Sequence, residues 1–166
     1  MTQLELALNN KSSELMQAVS KKEGVSISFL KKSIAAGIIV IPHNKKRLIK
    51  KPCAIGKGLS TKINVNIGTS GDEIDIGDEL QKLKAAVSAG ADTVMDLSVG
   101  GDIPQIRKTL IENSGIPFGT VPIYDAAQSA AKNKGSLLKM TAADILEVIR
   151  SQAKDGVDFM TIHSGV

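Results

Sequence analysis

The chain has 166 residues, 42% hydrophobic and 23% charged, with a formal net charge of +4, one cysteine and only 2% aromatic residues. That length suits one domain with a substantial aliphatic core, and a single thiol excludes a disulfide framework or a self-contained multi-cysteine metal site. The N-terminus lacks a basic segment followed by an apolar core, and no apolar run approaches membrane-spanning length, so a cytoplasmic protein without membrane contact is expected.

Residues 1–60 read as a mainly helical N-terminal arm or cap. Residues 4–8 and 15–19 suggest short helices, and Ser26 can cap a third that carries Ile27, Leu30, Ile34 and Ala35 on one face. Gly37 stops that helix, and residues 38–41 read as a strand ended by Pro42. Much of the basic character lies in Lys45-Lys46-Arg47-Leu48-Ile49-Lys50-Lys51. No aromatic residue interleaves with it to stack on bases, so it reads as a solvated loop rather than a nucleic-acid site. Cys53 reads as a small buried hydrophobe. Gly56-Lys57-Gly58 is a weak phosphate-loop signal, with no Walker or dinucleotide fingerprint around it.

From residue 61 to residue 166 strands alternate with helices. Residues 63–67 form the first strand, and the helix after it carries Leu80, Leu83 and Val87 on one face and stops at Gly90. The apolar run 93–97 is the second strand; Asp102 caps the next helix, whose stripe is Ile103, Ile106 and Leu110. Residues 118–124 read as the third strand, with Pro122 near its end. Helical segments 126–132 and 141–154 follow, the second opened by a capping-box pair, Thr141 and Asp144. Residues 158–163 are the fourth strand, and Gly156-Val157-Asp158-Phe159 repeats the device of Gly90-Ala91-Asp92-Thr93. Such an order implies α/β architecture from parallel βα units. Pattern alone leaves two arrangements open, an open doubly wound sheet or the first four strands of a (β/α)8 TIM-like barrel. In the second, the outer strands would present unpaired edges that a partner must cover.

Polar residues gather toward the C-terminal ends of these strands: Asn66, Thr69, Asp96, Ser98, Tyr124 and His163. Asn66 to Met95 and Met95 to Tyr124 are each 29 residues, a period that brings equivalent positions to one rim. Each also has a structural reading. Asn66 could bond a neighbouring loop, Met95 could fill core, Asp96 could sit in an ion pair, Tyr124 could pack at a strand end, and His163 could be a satisfied core histidine. No Ser/His/Asp order, nucleophile elbow or His-Glu-x-x-His motif is present.

Four stretches carry a resemblance: Gly58-Leu59-Ser60-Thr61-Lys62-Ile63-Asn64-Val65-Asn66-Ile67-Gly68-Thr69-Ser70, residues 90–102, Val121-Pro122-Ile123-Tyr124, and Asp155-Gly156-Val157-Asp158-Phe159-Met160-Thr161-Ile162-His163. Together they resemble, in order and nearly end to end, the N-terminal portion of the phosphomethylpyrimidine synthases of thiamine biosynthesis, whose members are much longer. The resemblance implies a (β/α) barrel, a zinc site, and a 4Fe-4S cluster that cleaves S-adenosylmethionine. The resulting radical would convert 5-aminoimidazole ribonucleotide into 4-amino-5-hydroxymethyl-2-methylpyrimidine phosphate. It places substrate contacts on Asn66, Met95, Tyr124 and His163. The family's phosphate-binding loop, zinc histidines and cluster cysteines fall beyond residue 166. The chain departs from the family at Ser60, where Arg is usual, and at Val99, where Thr is usual. The expectation is therefore an inactive fragment with no cofactor of its own, which needs the missing half or a second copy. The alternative is a standalone half-barrel that self-associates or pairs with a longer synthase as a binding or regulatory module.

Overall fold

Consecutive neighbours in the sequence become consecutive neighbours in space. The computed structural model describes residues 1–164. Strands β3 (Asn64–Ile67), β4 (Thr93–Asp96), β5 (Phe118–Thr120) and β6 (Phe159–Met160) form one parallel sheet in the order β3-β4-β5-β6. They are linked by helices α4 (Ile76–Ser88), α5 (Ile103–Asn113), α6 (Pro122–Lys134) and α7 (Ala142–Asp155), with a 3-10 turn, Leu137–Lys139, before α7. A doubly wound sheet would reverse strand order at a switch point. Here the order never reverses, as in part of a TIM-like barrel, and no closure is reached among the described residues.

The register assigns each strand residue to a face. Val65, Val94 and Phe118 are aligned, and with Ile67 and Met160 they pack against Leu83, Ala86, Ile106, Leu110 and Ile111 of the helices. The opposite face carries Asn64, Asn66, Thr93, Met95, Gly119 and Phe159. This second face corresponds to the inside of a barrel.

The N-terminal segment has its own core. Helices α1 (Gln3–Leu8), α2 (Glu14–Glu23) and α3 (Ile27–Ala35) enclose Ala7, Met16, Val19, Leu30 and Ile34 with Ile39, Ile41 and Ala54. Ser26 caps α3 by accepting from the Phe29 N–H, as its position in the sequence suggests. Strand β1 (Ile39–Val40) pairs antiparallel with β2 (Ile55–Gly56). The first glycine of the Gly-x-Gly is thus structural. A Cβ on Gly56 would lie 2.2 Å from the Ile38 carbonyl oxygen, and its φ is +152°. Cys53 and Ala54 are fully buried just before that strand.

Two expectations need correction. The third strand ends at Thr120, and Pro122 opens α6 instead of closing the strand. Proline has no N–H to donate and its fixed φ suits the first helical turn. Tyr124 therefore lies in the first turn of a helix, not on a strand.

The basic loop is likewise not simply solvated. Arg47 donates to the Asp158 carboxylate at 2.9 Å and to the carbonyls of Ser114 and Ile116 at 2.6 and 3.2 Å. Asn44 donates to the carbonyls of Ala153 and Val157, and Lys46 donates to that of Lys154. The loop thus satisfies carbonyls left over at the C-terminal end of α7 and in the segment entering β5. Leu48 remains 93% exposed beside it.

The repeated Gly-x-Asp steps have a common use. Asp92 accepts from the Ile63 N–H, just before β3, and pairs with Lys22 at 2.7 Å. Asp158 accepts from the Phe118 N–H, at the start of β5, and pairs with Arg47. Each aspartate caps the start of the preceding strand and takes a cation from the N-terminal segment.

Candidate functional site

Parallel registration places Asn66 beside Met95, side chains on the same inner face. Next in that row come Gly119 and Phe159. Gly119 has no side chain because a Cβ there would lie 2.4 Å from the Phe159 ring and 2.9 Å from Met95 Cγ. The missing Cβ leaves room for the Phe159 ring and the Met95 side chain over this position. One step beyond β6, the Thr161 N–H donates to the Thr120 carbonyl, and the Thr161 hydroxyl donates to Met95 Sδ at 3.7 Å. Met95 is 8% exposed, so it is held from two sides and shows only part of its surface to the open face.

Tyr124 and His163 form the other half of the rim, with ring centroids 6.2 Å apart and planes tilted by 38°. Tyr124 reaches this position because α6 starts immediately after β5. Its neighbour Asp125 accepts from Arg107 at 3.0 Å, while Arg107 also donates twice to Asp155, at 3.1 and 2.8 Å. Gln152 bridges Asp125 to the Thr120 hydroxyl. Buried Arg107 thus fixes the start of α6, and with it Tyr124, against α5 and α7.

The loops after β3 and β4 are laced together. Thr69 N–H donates to the Ser98 hydroxyl at 3.1 Å, the Thr69 hydroxyl donates to the Gly100 carbonyl at 2.7 Å, and Val99 N–H donates to the Thr69 carbonyl. Ser98 in turn donates from both N–H and hydroxyl to Asp96. Asp96 is aligned with Ile67 and Thr120, on the helix-facing side. Burial pushes its carboxyl above the ordinary carboxylate range, only partly offset by the bonds from Ser98. Asp96 is a loop organiser rather than a rim group, and its partner is a serine, not a cation.

The four residues singled out in the sequence therefore resolve into two adjacent pairs, Asn66 with Met95 and Tyr124 with His163. Thr161 connects the second pair's segment to the first. Four contributors had escaped notice: Asn64, Thr93, Thr161 and Arg107. Asn64 is legible in principle, since Asn64 and Asn66 alternate with Val65 and Ile67. Arg107 also interrupts an otherwise apolar helix stripe between Ile106 and Leu110.

The donor set does not fit an iron–sulfur cluster or zinc. Cys53 is the only cysteine of the chain, and burial pushes its thiol up to about 11, away from the thiolate that ligation requires. Of the two histidines, His43 bonds the Arg47 carbonyl and His163 stands at the rim. Among the described residues no three His, Cys, Asp or Glu side chains converge as a metal-binding group. No described helix is long and apolar enough to cross a membrane.

Comparison with known proteins gives this rim a context. The chain is 53% identical over its whole length to the phosphomethylpyrimidine synthase of Dehalococcoides mccartyi. It is 50% identical to that of Caldanaerobacter subterraneus subsp. tengcongensis and 47% identical to that of Thermus thermophilus. In each case it spans 38% of the relative's length. Residues 2–166 match the family described as the radical SAM ThiC family, and the chain belongs to that family.

Proposed function

We propose that this chain is the N-terminal, substrate-holding part of a phosphomethylpyrimidine synthase acting in the cytoplasm on 5-aminoimidazole ribonucleotide. The product would be 4-amino-5-hydroxymethyl-2-methylpyrimidine phosphate. The observation that carries the reading is the rim itself: an amide, a thioether, a phenol and an imidazole, drawn from β3, β4, α6 and the segment after β6, stand on one end of one sheet.

These groups suit a flat, polar heterocycle on a ribose. The Met95 thioether offers a polarisable surface for a ring face. Asn66 offers hydrogen bonds to polar edges, and Tyr124 and His163 offer a phenol and an imidazole. Radical chemistry by S-adenosylmethionine requires a cluster whose ligands this chain does not supply, so the chain's own contribution is binding and orientation. Strands β3 and β6 each have one paired neighbour among the described residues, and further strands of a longer synthase would complete them.

The test is a pair of measurements on the chain. After anaerobic reconstitution with iron, sulfide and S-adenosylmethionine, it forms neither 5′-deoxyadenosine nor pyrimidine phosphate. Equilibrium binding detects the ribonucleotide, and Asn66→Ala weakens that binding. Formation of 5′-deoxyadenosine, or binding indifferent to Asn66→Ala, would refute the reading.

A further inference from the structure

Below the rim, three polar side chains of the inner face form a directed chain. The buried Thr93 hydroxyl donates to Asn64 Oδ1 at 2.8 Å, and Asn64 Nδ2 donates to Asn66 Oδ1 at 2.8 Å. Thr93 lies opposite Asn64 in the register, one pleat below the Met95–Asn66 pair. The geometry follows from the parallel ladder: i and i+2 on β3 share a face, and the aligned residue of β4 completes a triangle.

A carboxamide has one accepting and one donating pole. With its oxygen engaged by Asn64, the exposed Asn66 is left with its N–H groups to offer a ligand. We infer that Thr93 and Asn64 are positioning residues that fix the Asn66 amide as a hydrogen-bond donor, which selects a nucleotide whose ring presents an acceptor nitrogen. This rests on the ribonucleotide reading above and adds the polarity of the contact. In 5-aminoimidazole ribonucleotide the acceptor is the ring nitrogen not bonded to ribose. A site that aims a donor at that atom discriminates against an isostere lacking it, because the donor is then left unpaired.

The experiment uses the 15N-labelled chain and two probes. One is 5-aminoimidazole ribonucleotide, and the other is its pyrrole counterpart, in which that ring nitrogen is a C–H. Wild type is expected to prefer the imidazole about five- to tenfold, the worth of one net hydrogen bond. Thr93→Val and Asn64→Ala should bring the preference close to one, and Thr93→Ser should restore it. Without any ligand, Thr93→Val should also shift the Asn66 side-chain amide resonances, although Thr93 reaches Asn66 only through Asn64.

A preference unchanged in both variants would overturn the inference, as would Asn66 resonances indifferent to Thr93→Val. If neither nucleotide binds wild type while Thr93→Val still shifts Asn66, the ligand assignment falls and the relay stands. The ribonucleotide reading would then be what failed.

Discussion

At the start of β4 and β6, Asp92 and Asp158 hold strand N–H groups and cations together. Toward the other end of the sheet, Asn66, Met95, Tyr124 and His163 contribute to no ion pair among the described residues. The base is cross-linked by charge to the N-terminal segment, with Lys62 and Glu23 adding a further close pair at 2.9 Å. The four rim side chains themselves make apolar contacts and neutral hydrogen bonds, and the rim stays partly open. The Arg107–Asp125 and Arg107–Asp155 ion pairs anchor the helix turn that carries Tyr124. On the proposed reading, the binding groups and the charged cross-links to the N-terminal segment lie at opposite ends of one sheet, so mutations at the two ends should have separable effects.

The largest stability effect belongs to the base. Arg47→Met removes the partner of a fully buried Asp158 side chain and leaves the Ser114 carbonyl without its donor, while the Ile116 carbonyl keeps the bond from the Ser114 hydroxyl. Breaking such a pair costs about 3–5 kcal/mol, read as a lowered urea midpoint. Lys22→Met, at the equivalent but more exposed pair, should cost at most about 1 kcal/mol. Equal losses would show that the two Gly-x-Asp devices do not differ as their burial indicates.

Next comes Gly119→Ala, the point where the rim depends on packing. The new methyl group must displace the Phe159 ring or Met95, at about 1–3 kcal/mol for overpacking. It should also weaken ribonucleotide binding, because what moves lies at the site. An alanine variant with wild-type stability and wild-type binding would contradict the close packing of that row.

The acid behaviour of the base aspartates should differ in sign. Burial pushes Asp92 up, but the bonds from Lys22 and the Ile63 N–H outweigh it and hold the carboxyl below its usual value. Its contribution is present above about pH 4 and is lost as pH falls through the lowered value. Asp158 is raised, burial outweighing the N–H groups of Asn44 and Phe118 and the charge of Arg47. Its contribution is complete below about pH 4 and is lost as pH rises through the raised value. Carboxyl NMR titration should find Asp158 protonating first on acidification, and the reverse order would undo this assignment.

How much of this was legible depended on distance along the chain. The order of strands and helices, the helix stripes and the Ser26 and Thr141 caps rest on signals within a few residues and could be read directly. The third and fourth strands, read as 118–124 and 158–163, are shorter, Phe118–Thr120 and Phe159–Met160. Tyr124 was misplaced because Val121-Pro122-Ile123 reads equally as a strand end or a helix start, and only the tight β5–α6 step decides. The Arg47 clamp was invisible because its carboxylate partner lies 111 residues away, and a basic run looks the same whether solvated or docked. The relay through Asn64 needed the register of β3 on β4, which no single strand's pattern supplies.

The smallest stability effects should come from the rim. Tyr124→Phe and His163→Ala should each change stability by less than about 0.5 kcal/mol, since Tyr124 is 38% exposed and His163 is exposed. Both should nevertheless weaken ribonucleotide binding. A large loss of stability with unchanged binding would assign these rings to the framework.

The most direct measurement is a titration of the isotopically labelled chain with 5-aminoimidazole ribonucleotide, followed by NMR at both ends of the sheet. The expected result is that the Met95 methyl, the Asn66 carboxamide and the Tyr124 and His163 rings shift together along one saturation curve. The methyl of buried Met16 and the guanidinium of Arg47 should stay where they are. Shifts concentrated on Lys46 and Lys50 at the base, or a rim that does not respond, would contradict the division between a charged, closed base and a ligand-holding rim.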